Sequence, residues 1–303
     1  MKQNELGCLT VPSKVLFFAV VLSLLGTVSA TVAQDQGTQD QSADEMTTEA
    51  APLLELPMPI LADLNGDGQV KITAFGDSLT RGTGDFTAPN QDVQEVSRPQ
   101  GDAGYPLRVE NWLHVPVFNL GRPGEVFTTD GLPRFAQLVP HQGVDFVVVS
   151  GGSNDAFQMI FRSDYAQAAQ TILNIARASG IQPIIATVPP VCCQHIGEQR
   201  FINEYNEVLR ILGPVNGIPV ADIDHAYQNT CNGNITSCAL LNRPEGLHPN
   251  SAGYDVSAEA ITATLLNINL FAPDGPALLA QALQVPVTSI RTVPDPTPPA
   301  SEM

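Results

Sequence analysis

At 303 residues the chain has room for one domain of about 200 residues with tails, or for two small domains. Its 14 basic residues against 31 acidic ones leave a net charge of −17, which argues against a polyanionic partner such as nucleic acid and against an anionic membrane surface. An apolar share of 43% is ordinary for a globular protein, and the charge suits a soluble, self-repelling protein outside the cell.

Residues 1–33 read as a secretory signal peptide. Lys2 and Lys14 precede the apolar run Val15 to Leu25, and the small residues Gly26, Ser29, Ala30 and Ala33 follow it. That run is too short for a comfortable membrane span of about 20 residues, so the mature chain is expected to have no stable membrane insertion. An uncleaved anchor is the competing reading, and Cys8 precedes the apolar run, where a lipid-attachment cysteine does not belong. Residues 34–57 form an acidic stretch, with six acidic and no basic residues between Gln34 and Glu55, that reads as a disordered linker. The folded domain is expected over 58–272 and a proline-rich tail over 273–303.

Within the domain, apolar strand-like runs alternate with helix-like segments. The runs are Val70 to Phe75, Val115 to Leu120, Val144 to Ser150, Pro183 to Val188 and Ile218 to Ile223. Helices are expected over Tyr105 to Leu113, Asp130 to Leu138, Asp164 to Ser179, Glu198 to Leu212 and Ser251 to Leu266. Alternation of this kind implies an α/β fold, a parallel sheet covered on both faces, with ligand-binding loops at the carboxyl ends of the strands.

The loops at those ends carry the reactive residues. Lys71 to Phe75 is followed by the turn Gly76-Asp77-Ser78 and a helix entry, a corner that exposes the Ser78 hydroxyl near the positive end of a helix dipole. The second strand leads into Asn119 to Glu125, where Gly124 presents a bare backbone N–H. The third leads into Ser150 to Asp155, where Asn154 offers an amide donor. Glu245 to Asn250 precedes the last helix and brings His248. Acyl transfer needs such a set: a hydroxyl nucleophile, a base titrating near neutrality, fixed donors for the oxyanion and a carboxylate to orient the base. Ser78, His248 and Glu245 fill the first, second and last roles, and Ser78 N–H, Gly124 N–H and the Asn154 amide form the oxyanion hole. Each feature alone has a plainer reading as a turn or a helix cap.

The stretches FGDSLT, NLGRPGE, GGSND and EGLHPNSAGY resemble the four ordered motif blocks of the SGNH (GDSL) hydrolase superfamily, especially its lysophospholipase- and thioesterase-like esterases. The resemblance spans about residues 70 to 266. It implies a flavodoxin-like three-layer αβα sandwich with a five-stranded parallel sheet, no cofactor and no metal, and a small-molecule or carbohydrate ester as substrate. Ser78 is then the nucleophile, Gly124 and Asn154 the oxyanion donors and His248 the base. The family's last block usually has aspartate three residues before the histidine, where this chain has Glu245, so a Ser-His dyad oriented by a backbone carbonyl stands beside the triad. A carbohydrate O-deacetylase of the same fold is the nearest alternative. A non-catalytic carbohydrate- or wall-binding module is the rival from another class, poorly served by 6% aromatic residues and by Trp112 as the single tryptophan. The G-x-S-x-G elbow of other α/β hydrolases is absent around Ser78.

Four cysteines follow the signal, an even set that suits disulfides in an exported protein. Cys231 with Cys238 closes a short loop and is the preferred pair. A bond between the neighbours Cys192 and Cys193 is expected to be strained, which keeps cross-pairing of the two clusters open. Zinc is disfavoured because no histidine sits at finger spacing. Asp63 to Gly68 copies the first half of a calcium loop, but position twelve is Ala74, so an Asn- and Gly-rich turn is expected there. His195 follows the fourth strand, within reach of the pocket.

Overall fold

In each strand, successive side chains point to opposite faces, and in the inner strands both sets are largely apolar, as a strand covered on both sides requires. The computed structural model describes residues 57–85, 104–286 and 289–292, all within one compact unit, Ala51–Met303. The expected signal peptide, the linker up to residue 56 and residues 86–103 lie outside the described residues.

β1 (Ile72–Gly76) sends Ile72 and Ala74 into one core and Phe75 into the other. β2 (Val117–Gly121), β3 (Phe146–Ser150), β4 (Gln182–Ala186) and β5 (Val220–Ala221) complete the sheet. The order is β2-β1-β3-β4-β5 and every pairing is parallel, with Ile72 opposite both Val117 and Phe146. Strand order reverses between β1 and its neighbours, and such a switch point opens a crevice at the carboxyl edge.

The helices, in chain order, are α1 (Ser78–Arg81), α2 (Gly104–Leu113), α3 (Leu132–Leu138), α4 (Ser153–Phe157), α5 (Arg162–Ala178), α6 (Gln199–Asn216), α7 (Ile223–Thr230), α8 (Ser251–Leu265) and α9 (Gly275–Leu283). α2, α7, α8 and α9 pack with Ile72, Ala74, Phe146 and Ile184 on one face. α3, α5 and α6 pack with Phe75, Val147, Val149 and Ile185 on the other. The result is the three-layer α/β sandwich expected. In α5 the stripe Tyr165, Ala168, Ala169, Ile172 and Ala176 is the buried one, as its helical spacing requires. Among the described residues no helix is long and apolar enough to cross a membrane.

The boundary at 272 needs correction. α9 lies within the segment read as a proline-rich tail, 273–303, and buries Leu279 and Ala280. Beyond it Ile290 is buried, and the backbone N–H groups of Arg291 and Thr292 donate to Glu259 Oε1 and Oε2 at 2.6 and 2.9 Å. The segment is rich in proline, yet GPALLAQAL within it is a short helix with proline in its first turn, where the missing N–H costs nothing.

Burial pushes the Glu259 carboxyl up from 4.5 to about 7 against the pull of those two hydrogen bonds. Between these values the folded protein holds a proton that the unfolded chain releases. Stability from this group is therefore complete below pH 4.5 and is lost as pH rises through about 7. Urea midpoints measured from pH 4 to 8 are expected to fall across that window, by up to about 3 kcal/mol of stability, and Glu259→Gln is expected to remove this part of the slope.

Asp63 to Gly68 is a turn. Asp63 accepts from the N–H groups of Gly66 and Gly68 at 2.7 and 2.8 Å, and buried Asp145 accepts from Leu64, Asn65 and Lys71.

Candidate active site

β1 ends at Gly76, and Asp77 caps α1 by accepting from Leu79 N–H at 2.9 Å. The other Asp77 oxygen accepts from the Ser153 hydroxyl at 2.6 Å, which ties the end of β1 to the loop after β3. Burial pushes the Asp77 carboxyl up, while these two bonds pull it down. Ser78, the first residue of α1, is only 6% exposed, yet it lines an open pocket of about 420 Å³ together with Thr83, Gly124, Asn154, Leu247 and His248.

Ser78 Oγ lies 2.9 Å from His248 Nε2. The opposite ring nitrogen, Nδ1, contacts Glu245 Oε1, while Glu245 Oε2 accepts from the backbone N–H groups of Leu247 and His248 at 3.3 and 3.0 Å. The extra methylene of glutamate is thus absorbed by the side chain folding back over its own loop. Burial raises the Glu245 carboxyl, but the hydrogen bond and charge of His248 outweigh it and hold the group below its usual value. Serine, histidine and carboxylate stand in hydrogen-bonded series, the order in which a proton can leave the hydroxyl as the resulting imidazolium is stabilised.

Gly124 has φ +75°, and a side chain there would meet nothing within 4 Å. Glycine serves this position through its left-handed backbone, which sets the direction of the N–H, rather than by clearing room for a ligand. Asn154 donates one amide hydrogen to Glu125 O at 3.0 Å, and a carboxamide has a second to offer the pocket. Asp155 does not cap its own helix in the way its position suggests. It accepts from Phe127 and Thr128 N–H at 2.7 and 3.0 Å, fastening the loop after β2 to the loop after β3.

Two residues that the motif blocks do not contain organise the site. Arg134 on α3 pairs with Glu125 and donates to Leu120 O and Gly76 O, holding the ends of β2 and β1 together. Asn242, fully buried, donates through Nδ2 to the carbonyls of Gly84, His248 and Pro249, and its backbone N–H reaches His248 O at 2.9 Å. Neither has a sequence signature, since Asn242 acts on backbone carbonyls and Arg134 reaches Glu125 and two carbonyls from a separate helix.

The four cysteines are joined as Cys231–Cys238, with Cα atoms 5.3 Å apart, and Cys192–Cys193. The neighbour pairing held to be strained is therefore the one in the structure, and the clusters do not cross-pair. Cys192 packs on the histidine loop: its N–H donates to Gly246 O at 2.9 Å, and a Cβ on Gly246, whose φ is +80°, would come within 2.4 Å of Cys192 O. Among the described residues no group of three His, Cys, Asp or Glu side chains is placed to hold a metal ion. His195 lines a second pocket that shares Asn154 and Leu247 with the first.

A parallel sheet of this order, with Ser78, His248 and Glu245 in series over its carboxyl edge, has the architecture of an SGNH-type α/β hydrolase. The chain belongs to the GDSL-like lipase/acylhydrolase family, whose model matches residues 74–256. The lipase/acylhydrolase from Enterococcus faecalis is 24% identical, with a TM-score of 0.53 over 66% of this chain and 96% of that one. Axe2, an acetylxylan esterase from Geobacillus stearothermophilus, is 20% identical, with a TM-score of 0.52 over 67% and 96% of the respective chains. The uncharacterized lipoprotein YqeF of Bacillus subtilis (strain 168) is 23% identical over 238 residues, 69% of this chain and 95% of its own.

Proposed function

We propose that the protein is an exported serine esterase. Ser78 Oγ attacks the ester carbonyl carbon while His248 Nε2 takes its proton, and the tetrahedral oxyanion faces Ser78 N–H, Gly124 N–H and the Asn154 amide. Collapse expels the alcohol, which leaves with the proton from His248. Water then attacks the acyl-serine, giving its proton to His248, and the acid departs as Ser78 is reprotonated. The observation that carries this reading is the 2.9 Å contact of Ser78 Oγ with His248 Nε2, in series with the His248–Glu245 contact.

A triad is favoured over a dyad because the carboxylate engages the ring nitrogen directly. Glu245→Gln is expected to lower kcat by about 10³- to 10⁴-fold, since the amide can hold the ring in the wrong tautomer and cannot stabilise the imidazolium. A loss below tenfold identifies a dyad. The reading itself is tested with p-nitrophenyl esters from acetate to long chain, given to the protein lacking residues 1–33. Hydrolysis of at least one ester that saturates with concentration supports it, and a folded protein inert on all of them opposes it.

A carbohydrate O-deacetylase is the second reading, favoured by the fold shared with an acetylxylan esterase. Export rests on the signal-like residues 1–33, on two cysteine pairings suited to an oxidising compartment, and on the relative named a lipoprotein.

A further inference from the structure

Each of the three donors assigned to the oxyanion hole stands beside an atom that one guanidinium holds. Arg134 Nη2 donates to Gly76 O at 3.2 Å, two residues before Ser78, and Nη1 donates to Leu120 O at 2.9 Å, near the end of β2. Nε and Nη2 engage the two carboxylate oxygens of Glu125, the neighbour of Gly124. The backbone carbonyl of that same glutamate accepts one amide hydrogen of Asn154 at 3.0 Å, which leaves the other to the pocket that Asn154 lines. The pair is secluded: the Glu125 side chain is 2% exposed, and Arg134 Cζ lies 4.1 Å from the centre of the buried Phe75 ring.

An oxyanion hole works through donors fixed before the charge develops, and a misplacement of about 1 Å can cost on the order of 10²-fold in rate. A planar guanidinium suits that task, because its N–H groups spread in one rigid fork and set their acceptors relative to one another. A lysine ammonium has no such fixed directions. Arg134 itself does not line the catalytic pocket. We infer that Arg134 is the positioning residue of the oxyanion hole: through Gly76 O, Leu120 O and Glu125 it sets the mutual placement of the Ser78, Gly124 and Asn154 donors. This rests on the esterase reading and adds to it a residue that acts on the reaction without touching the substrate.

The test compares the full unmutated chain with Arg134→Lys and with the neutral double variant Arg134→Met/Glu125→Gln, which avoids the unpaired buried charge that a single truncation leaves. For each, kcat and KM are measured on p-nitrophenyl acetate, together with the inhibition constant of phenylboronic acid, whose tetrahedral adduct on Ser78 places an oxygen in the hole. Both variants are expected to lose about 10- to 100-fold in kcat and to bind the boronate more weakly by a similar factor, with KM kept within about threefold. A smaller folded fraction lowers kcat but leaves KM and the inhibition constant of the remainder alone. A fall in kcat without weaker boronate binding therefore overturns the inference, as does a kcat kept within about threefold in either variant. Failure of the esterase reading appears separately, as no hydrolysis of any p-nitrophenyl ester by the unmutated protein.

Discussion

Ser78→Ala is expected to lower kcat on p-nitrophenyl acetate by about 10⁵- to 10⁶-fold, with thermal stability unchanged within a few degrees. The size follows from the absence of a substitute. His248 Nε2 contacts Ser78 Oγ, and Asp77 and Ser153, whose hydrogen bonds order the corner, carry no free nucleophile. Stability is spared because the cap of α1 is made by the Asp77 carboxylate and Leu79 N–H, which the substitution leaves alone. The oxyanion donors also remain, so residual catalysis of about 10³-fold over water is expected rather than none. A loss of less than tenfold contradicts the role of Ser78.

His248→Ala is expected to cost as much as Ser78→Ala, and the double variant no more than either alone. Residues that act as one unit are not additive: with the base gone the hydroxyl keeps its proton, and with the hydroxyl gone the base has nothing to deprotonate. The loop should survive the change. Its shape is held by backbone groups, with His248 N–H on Glu245 and His248 O on Asn242, and by the buried Asn242 amide bridging to Gly84 O. Measuring kcat and KM for the single and double variants on one ester checks the point, and multiplied losses in the double variant contradict it.

The sheet was legible because its strands are apolar on both sides, so runs such as Phe146 to Val149 stand out whatever the register. Their ends were less so. The first strand was expected from Val70, but Lys71 N–H goes to Asp145 Oδ2, and pairing starts at Ile72. The fifth was expected to reach Ile223 and is only Val220–Ala221, because Asp222 leaves the sheet to cap α7, a helix the pattern did not show. The site residues were legible for a different reason: each block is short, and its chemistry rests on side chains a few positions apart. What holds the blocks to one another was not. Asp155, Arg134 and Asn242 reach backbone atoms of segments distant in the chain, and no local pattern encodes such a reach. The same holds for Cys192, which meets Gly246 only once the segment after β4 and the histidine loop come together.

The measurement that bears most directly on the site is covalent labelling with a fluorophosphonate, read by intact mass and by the modified peptide. A serine activated by His248 is expected to take one label, on Ser78, with labelling abolished in Ser78→Ala and slowed by several orders of magnitude in His248→Ala. A folded protein that takes no label, or takes it on another serine at the same rate in the His248 variant, contradicts the catalytic assignment and leaves a binding module of this fold as the better description.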